Sequence, residues 1–178
     1  MPKRHKDRKN LNLVVAAAVT AAVIGVVVIL WLSGRPAKET MEIDVYFSDE
    51  EGLYLKAEKR SVRKGPVAAE ARDALEELVE GPESASFAAT LPQGTKLLGL
   101  RVEGKTATVD LSREVIENHP GGSSAEIQTV YSIVNTLALN FPEIEDVRIL
   151  VEGSKADTIA GHIDVTLPLG PDRKVIRD

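Results

Sequence analysis

From Leu11 to Leu32 the chain runs for 22 residues without a charged side chain. As an α-helix this run spans roughly 33 Å at about 1.5 Å per residue, and the hydrocarbon core of a bilayer is about 30 Å thick. The flank before it carries Lys3, Arg4, Lys6, Arg8 and Lys9 against a single acid, Asp7. Positive flanks stay in the cytoplasm, so the N-terminus is expected inside and everything after Trp31 outside. Trp31 stands where an interfacial aromatic belongs. A cleaved signal peptide has a shorter apolar core, about 7–15 residues, ending at a small-x-small site. Here the core is longer, and Ser33-Gly34-Arg35-Pro36 offers no such site. The sequence thus predicts a retained signal-anchor. Residues 1–10 form a basic cytoplasmic tail, 11–32 a transmembrane helix, 33–40 a polar linker, 41–169 one domain and 170–178 a C-terminal tail. Ala17, Ala21 and Gly25 recur every four residues in the anchor, a spacing that lets two membrane helices approach closely, although alanine is common throughout the segment.

The formal charge of −5 averages over two unlike parts. From Glu39 onward there are 15 Lys and Arg against 26 Asp and Glu, a net charge of −11. Nucleic-acid affinity rests on basic groups that displace counterions. An acidic domain repels phosphate backbones, so nucleic acid is not an expected partner. The chain has no Cys. That excludes a lipid-modified cysteine, a disulfide framework and thiol chemistry.

Past the linker the apolar period becomes two. Met41, Ile43, Val45 and Phe47 alternate with polar residues and predict a strand. Leu53, Leu55 and Ala57 resume the alternation after the acidic turn Ser48–Gly52. Setting Phe47 opposite Leu53 places both apolar sets on one face of a hairpin. Gly65-Pro66 opens a helix whose stripe is Val67, Ala71, Ala74, Leu75, Leu78 and Val79, and Gly81-Pro82 stops it. A second hairpin pairs Val102 with Ala107, Leu100 with Val109 and Leu98 with Leu111 across Gly104-Lys105. Ser112–Gly122 reads as a connection with one helical turn. Ser123 and Glu126 have the spacing of a capping box, in which each satisfies a backbone donor at a helix start. Ile127, Val130, Tyr131, Val134, Leu137, Ala138 and Phe141 continue that helix as its apolar stripe, and Pro142 ends it. Val147, Ile149 and Val151 predict a fifth strand, and Ile163, Val165 and Leu167 a sixth. The order β-β-α-β-β-α-β-β predicts an α+β fold: a two-layer sandwich with a mostly antiparallel sheet and two helices on one face.

Six stretches in this order resemble the GerMN domain family. They are Val45-Tyr46-Phe47, Leu75 to Pro82, Leu91 to Leu98, Ala107 to Ser112, Val147 to Gly153, and Gly161 to Asp164. Together they cover about residues 41 to 169. The resemblance implies a non-enzymatic extracytoplasmic module of a bacterial envelope protein, with a part in sporulation or germination. The member that gives the family its name helps assemble the complex joining mother cell and forespore, and its domains are similar to ring-building modules. This chain departs from that member in holding one such domain rather than two, and in having a helix rather than a lipid for an anchor.

No constellation of side chains predicts a catalytic, cofactor-binding or metal site. His5, His119 and His162 are the only histidines. Ser123 and Ser124 follow Gly121-Gly122, yet no Gly-x-Ser-x-Gly is present and the capping box accounts for Ser123. The same run has the outline of a phosphate-binding loop but lacks its Lys. Asp49-Glu50-Glu51 and Glu143, Glu145, Asp146 are acidic clusters without the alternating spacing of a calcium loop. Asp110 is expected on the polar side of its strand. The chain is therefore expected to need no cofactor. Its expected partners are other cell-envelope proteins, including copies of itself, engaged through sheet edges or outer helix faces, with the membrane held through residues 11–32. The alternative is a cell-wall-acting enzyme or small-ligand-binding envelope protein, which a glycosidase-like pair of carboxylates beside an aromatic would favour.

Overall fold

A computed structural model of the chain describes residues 18–27 and 39–177. Contacts divide the chain into two units, Met1–Lys38 and Glu39–Asp178. In the first, residues 18–27 form helix α1, with every side chain exposed. Among the described residues no helix is long and apolar enough to cross a membrane. The predicted span runs on both sides of α1, and residues 11–17 and 28–32 lie outside the described residues, as do the basic tail with His5 and most of the linker. Ala21 and Gly25 fall in α1, whereas Ala17 lies outside the described residues.

The second unit runs β1 (Thr40–Asp49), β2 (Leu55–Arg63), α2 (Val67–Glu80), β3 (Phe87–Ala88), β4 (Leu97–Glu103), β5 (Thr106–Leu111), α3 (Glu114–Glu117), α4 (Ser123–Ala138), β6 (Asp146–Val151) and β7 (Ser154–Lys155). A 3₁₀ turn follows at Arg173–Val175. The mixed α+β character matches expectation, but the strands form two sheets, ordered β2-β1-β3 and β4-β5-β6-β7. Helix α4 explains part of the division. The Asn140 side chain, just past its end, donates to the carbonyl of Asp44 at 2.7 Å and accepts from its N–H at 2.9 Å. Thr136 Oγ1 accepts from the N–H of Tyr46 at 3.2 Å. Side chains thus take the edge of β1 that another strand would otherwise occupy.

Strand β5 pairs with β6 in parallel, because α4 carries the chain back to the starting end of the sheet. The remaining pairs are antiparallel.

The first hairpin departs from its expected register. Ser48 faces Leu55 and Val45 faces Glu58, a shift of three residues from the expected pairing of Phe47 with Leu53. Asp49 Oδ1 accepts the N–H groups of Leu53 and Tyr54, so the turn lengthens and Leu53 is left 58% exposed. An odd shift exchanges the faces of a strand. Leu55 therefore turns away from Val45 and is buried instead beside the C-terminal segment, where Arg177 N–H donates to its carbonyl at 2.9 Å.

The second hairpin keeps Val102 opposite Ala107 and Leu100 opposite Val109. A bulge between Leu97 and Gly99 then sets Leu97, rather than Leu98, opposite Leu111, and Leu98 is 48% exposed.

The predicted sixth strand is absent. Residues 163–167 are irregular, with Leu167 69% exposed. Asp164 Oδ1 accepts from both the N–H and the hydroxyl of Thr166, which curls the chain locally. Sheet pairing is supplied by the short β7 and by a single bridge from Leu169 to Val147.

Helix α2 lies where its stripe placed it, burying Ala71, Ala74, Leu75 and Leu78, and Gly81 (φ 93°) ends it. These residues share one core with Ile43, Val45 and Phe47 of β1, Val109 and Leu111 of β5, and Val130, Ile133, Val134 and Leu137 of α4. Each Val, Leu, Ile and Phe side chain among them contributes about 1.5–3 kcal/mol on leaving water.

Candidate functional site

The start of α4 is built by two glycines. Gly121 (φ 81°) and Gly122 (φ 86°) both hold left-handed backbone that a side chain would strain. Gly122 occupies the cap position, and no side chain caps the helix. The first helical bond runs from Glu126 N–H to the Gly122 carbonyl at 3.1 Å. The N–H groups of Ser123, Ser124 and Ala125 consequently have no acceptor within the helix.

His119 braces this turn from behind. Its Nδ1 accepts the N–H of Gly121 at 2.9 Å, which places the ring proton on Nε2. Nε2 lies 3.2 Å from Thr129 Oγ1, whose hydroxyl donates onward to the Thr90 carbonyl at 2.6 Å. Burial pushes the His119 pKa down, so the ring is neutral at pH 7. Both ring nitrogens are engaged in holding backbone and Thr129, and neither is paired with Ser123 or Ser124.

The turn opens into a groove of about 690 Å³. One side is the segment from Ala88 to Gln93, which continues from the edge strand β3; the other is Gly121 to Ala125 with Gln128 and Thr129. No Asp, Glu, Lys, Arg or His lines it. Two of its lining residues hold polar atoms without partners: Gln128 Nε2 and Thr90 Oγ1, in residues only 6% and 7% exposed. Buried polar atoms are nearly always paired, so two in one groove mark it out.

The capping box is overturned. Glu126 does not reach back to Ser123. Its carboxylate is fully buried and clasps the loop after β7. Oε1 accepts from Ile159 N–H at 2.9 Å and Ala160 N–H at 2.7 Å. Oε2 accepts from His162 N–H at 2.7 Å and lies 3.1 Å from His162 Nδ1. Burial alone would raise the Glu126 pKa, but the converging backbone N–H groups outweigh it and hold the carboxyl below its usual range.

The other candidates also find structural partners. Asp110 Oδ1 accepts the N–H of Gly153 at 2.7 Å and braces the β6–β7 turn. Glu145 pairs with Lys105. Among the described residues no three of His, Asp and Glu stand close enough to share a metal ion. Sequence periodicity also missed Arg60, which is 7% exposed on the core side of β2. It joins Glu58 at 2.7 Å, Glu77 at 2.9 Å and the Gly81 carbonyl at 2.9 Å, and lies over the Phe47 ring. A second groove of about 830 Å³ holds Lys56, Arg173 and Arg177 beside Tyr46 and Phe87, with Asp44 as its one carboxylate.

Comparison with known proteins agrees with this architecture. A family model named Germane, described as sporulation and spore germination, matches residues 44–157. No curated protein matches the chain. The chain is similar to a crystal structure of a candidate lipoprotein from Clostridium perfringens, at 27% identity and TM-score 0.55, over 74% of this chain and 87% of that one. It is also similar to the first GerMN domain of the sporulation protein GerM from Bacillus subtilis, at 24% identity and TM-score 0.58, over 75% of this chain and 98% of that one. Against the tandem GerMN domains of the same protein the identity is 24% and the TM-score 0.57; 75% of this chain covers 46% of that one.

Proposed function

The chain belongs to the Germane family of sporulation and spore germination proteins, and on that premise we propose that it is a non-catalytic protein of the cell envelope. Its domain is held outside the cytoplasm by the apolar segment 11–32 and assembles with other envelope proteins, including copies of itself, in sporulation or germination. One observation carries this reading. The side chains with the means to do chemistry are bound into the fold, and the groove at the start of α4 is lined by no charged residue. His119 holds a turn, Glu126 and His162 hold each other and a loop, and Asp110 holds Gly153. A groove without charged residues suits recognition of another molecule better than acid–base work, which needs a proton acceptor facing the substrate. The similarity to a candidate lipoprotein supports the envelope location.

The test is crosslinking in intact membranes, during growth and during sporulation, followed by identification of the trapped species. Specific protein neighbours are expected. Monomer alone under both conditions would overturn the reading. The enzyme alternative requires two carboxylates and an aromatic in one pocket; the first groove has no carboxylate, the second has only Asp44, and a third of about 520 Å³ holds Glu117, Glu152 and Asp157 but no aromatic.

A further inference from the structure

We propose that the groove beside Tyr46 binds the phosphate monoester group of a small soluble molecule. Tyr46 alternates along β1 with Val45 and Phe47, which fill the core, so its ring turns to the opposite face of the sheet. There it stands with its β2 partner Ala57 beside the C-terminal segment. Three anchors fix that segment. Asn135 exchanges both backbone hydrogen bonds with Asp172 at 2.9 and 3.0 Å, Asp172 Oδ1 accepts the Lys174 N–H at 2.8 Å, and the Arg177 N–H donates to the Leu55 carbonyl at 2.9 Å. The segment thereby brings Arg173 and Arg177 to a groove of about 830 Å³, a size suited to a small molecule.

Two independent observations point to an anion there. The first is charge. Lys56, Arg173 and Arg177 line the groove against Asp44 alone, and Lys59 already pairs with Asp44 at 2.8 Å. The groove therefore has an excess of at least two positive charges. Lys59, Arg60, Arg63, Arg72, Lys105 and Arg113 each pair with a carboxylate. Among the described residues Lys56, Arg173 and Arg177 pair with none, although acids outnumber bases in the domain. Arg177 lies over the Tyr54 ring at 4.3 Å, and a stacked guanidinium keeps its in-plane donors free to meet a ligand.

The second observation is the Tyr46 phenol. The residue is only 6% exposed, and its hydroxyl makes no hydrogen bond among the described residues, yet that oxygen is not sealed from solvent. A buried tyrosine hydroxyl normally has a partner. Burial pushes its pKa up, so at pH 7 it is a neutral O–H donor, and the charge of Arg173 acts on it from nearby. An unpartnered donor and an unpartnered guanidinium thus share one groove.

A phosphate monoester has a charge near −2 at pH 7 and three acceptor oxygens. It offsets both excess charges and can engage guanidinium and phenol together, since Arg pairs with phosphate bidentately. A carboxylate would offset only one charge. The domain's net charge of −11 repels an anionic membrane surface, which favours a soluble bearer. Ala57, Phe87 and Ile176 also line the groove and favour an apolar or aryl group beyond the phosphate. The site stands apart from the assembly reading.

The experiment titrates the full chain, isotope-labelled in detergent micelles, with phenyl phosphate, inorganic phosphate, benzoate and dihexanoylphosphatidic acid. Phenyl phosphate is expected to give saturable amide shifts at Ala57, Phe87 and Arg173–Arg177. It is expected to bind at least about tenfold more tightly than benzoate, the scale of one hydrogen bond to a charged group. Arg173→Gln is expected to weaken binding about tenfold and Tyr46→Phe about fivefold, each without a fall in Tm, since neither lost group has a partner in the fold. No saturable shift, or unchanged affinity in both variants, would overturn the site. Benzoate binding as tightly would overturn the phosphate group, and inorganic phosphate binding as tightly would overturn the organic bearer. Tighter binding of the phosphatidic acid would overturn the soluble source.

Discussion

Two asparagines near the end of α4 do the work of missing strands. Asn140 exchanges both backbone hydrogen bonds with Asp44, and Asn135 does the same with Asp172, at 2.9 and 3.0 Å. An amide side chain presents a donor and an acceptor side by side, as a peptide unit does. Asn140→Ala leaves two groups of β1 unpaired and is expected to cost about 1–3 kcal/mol, read from denaturant midpoints. Glu126 supports a sharper test. Its pKa is depressed in the folded state, so its contribution is present above the unfolded carboxyl pKa, about 4.3, and is lost as pH falls through the folded value. Glu126→Gln is expected to lower stability at pH 7 and to flatten its decline on the acid side. A variant that declines as steeply as the parent would show that the clasp does not titrate as argued. None of these roles was legible in the sequence. Asn140 and Glu126 reach across 96 and about 34 residues respectively, and short-range spacing carries no signal of such partners.

At the scale of elements, periodicity succeeded where one face alone is buried. The α2 stripe is an example, with Ala71, Ala74, Leu75 and Leu78 buried as expected. It failed where apolar residues serve two faces. Leu55 and Val62 lie on opposite sides of β2, so alternation could not fix the register of the first hairpin. Leu98 looked like a core residue because it lies two positions before Leu100, but the bulge turns it outward. Leu98→Asp is therefore expected to change stability by no more than about 0.5 kcal/mol. Leu111→Ala, in the core, is expected to cost about 2–5 kcal/mol. Thermal unfolding of the pair checks the bulge directly, and a large loss from Leu98→Asp would restore the straight hairpin. The bulge also kinks the outer strand β4, a feature that discourages unwanted strand pairing.

The whole molecule combines a segment with the composition of a membrane span and an α+β domain with a groove free of charged residues at the start of α4. Six sequence stretches sufficed to name the family, because family identity depends on the order of turns and stripes. The groove was half legible. Gly121-Gly122-Ser123-Ser124 stood out as a motif, but its partners Thr90 and Gln128 come from separate elements and have no shared pattern in the sequence. In the arrangement proposed above, this domain works outside a membrane that residues 11–32 enter. Because the chain has no cysteine, single thiols can report position without background. In intact protoplasts treated with a membrane-impermeant maleimide, Lys155→Cys is expected to label at once and Arg4→Cys only after lysis. Protection of Lys155→Cys until the membrane is broken would place the domain in the cytoplasm and contradict the account.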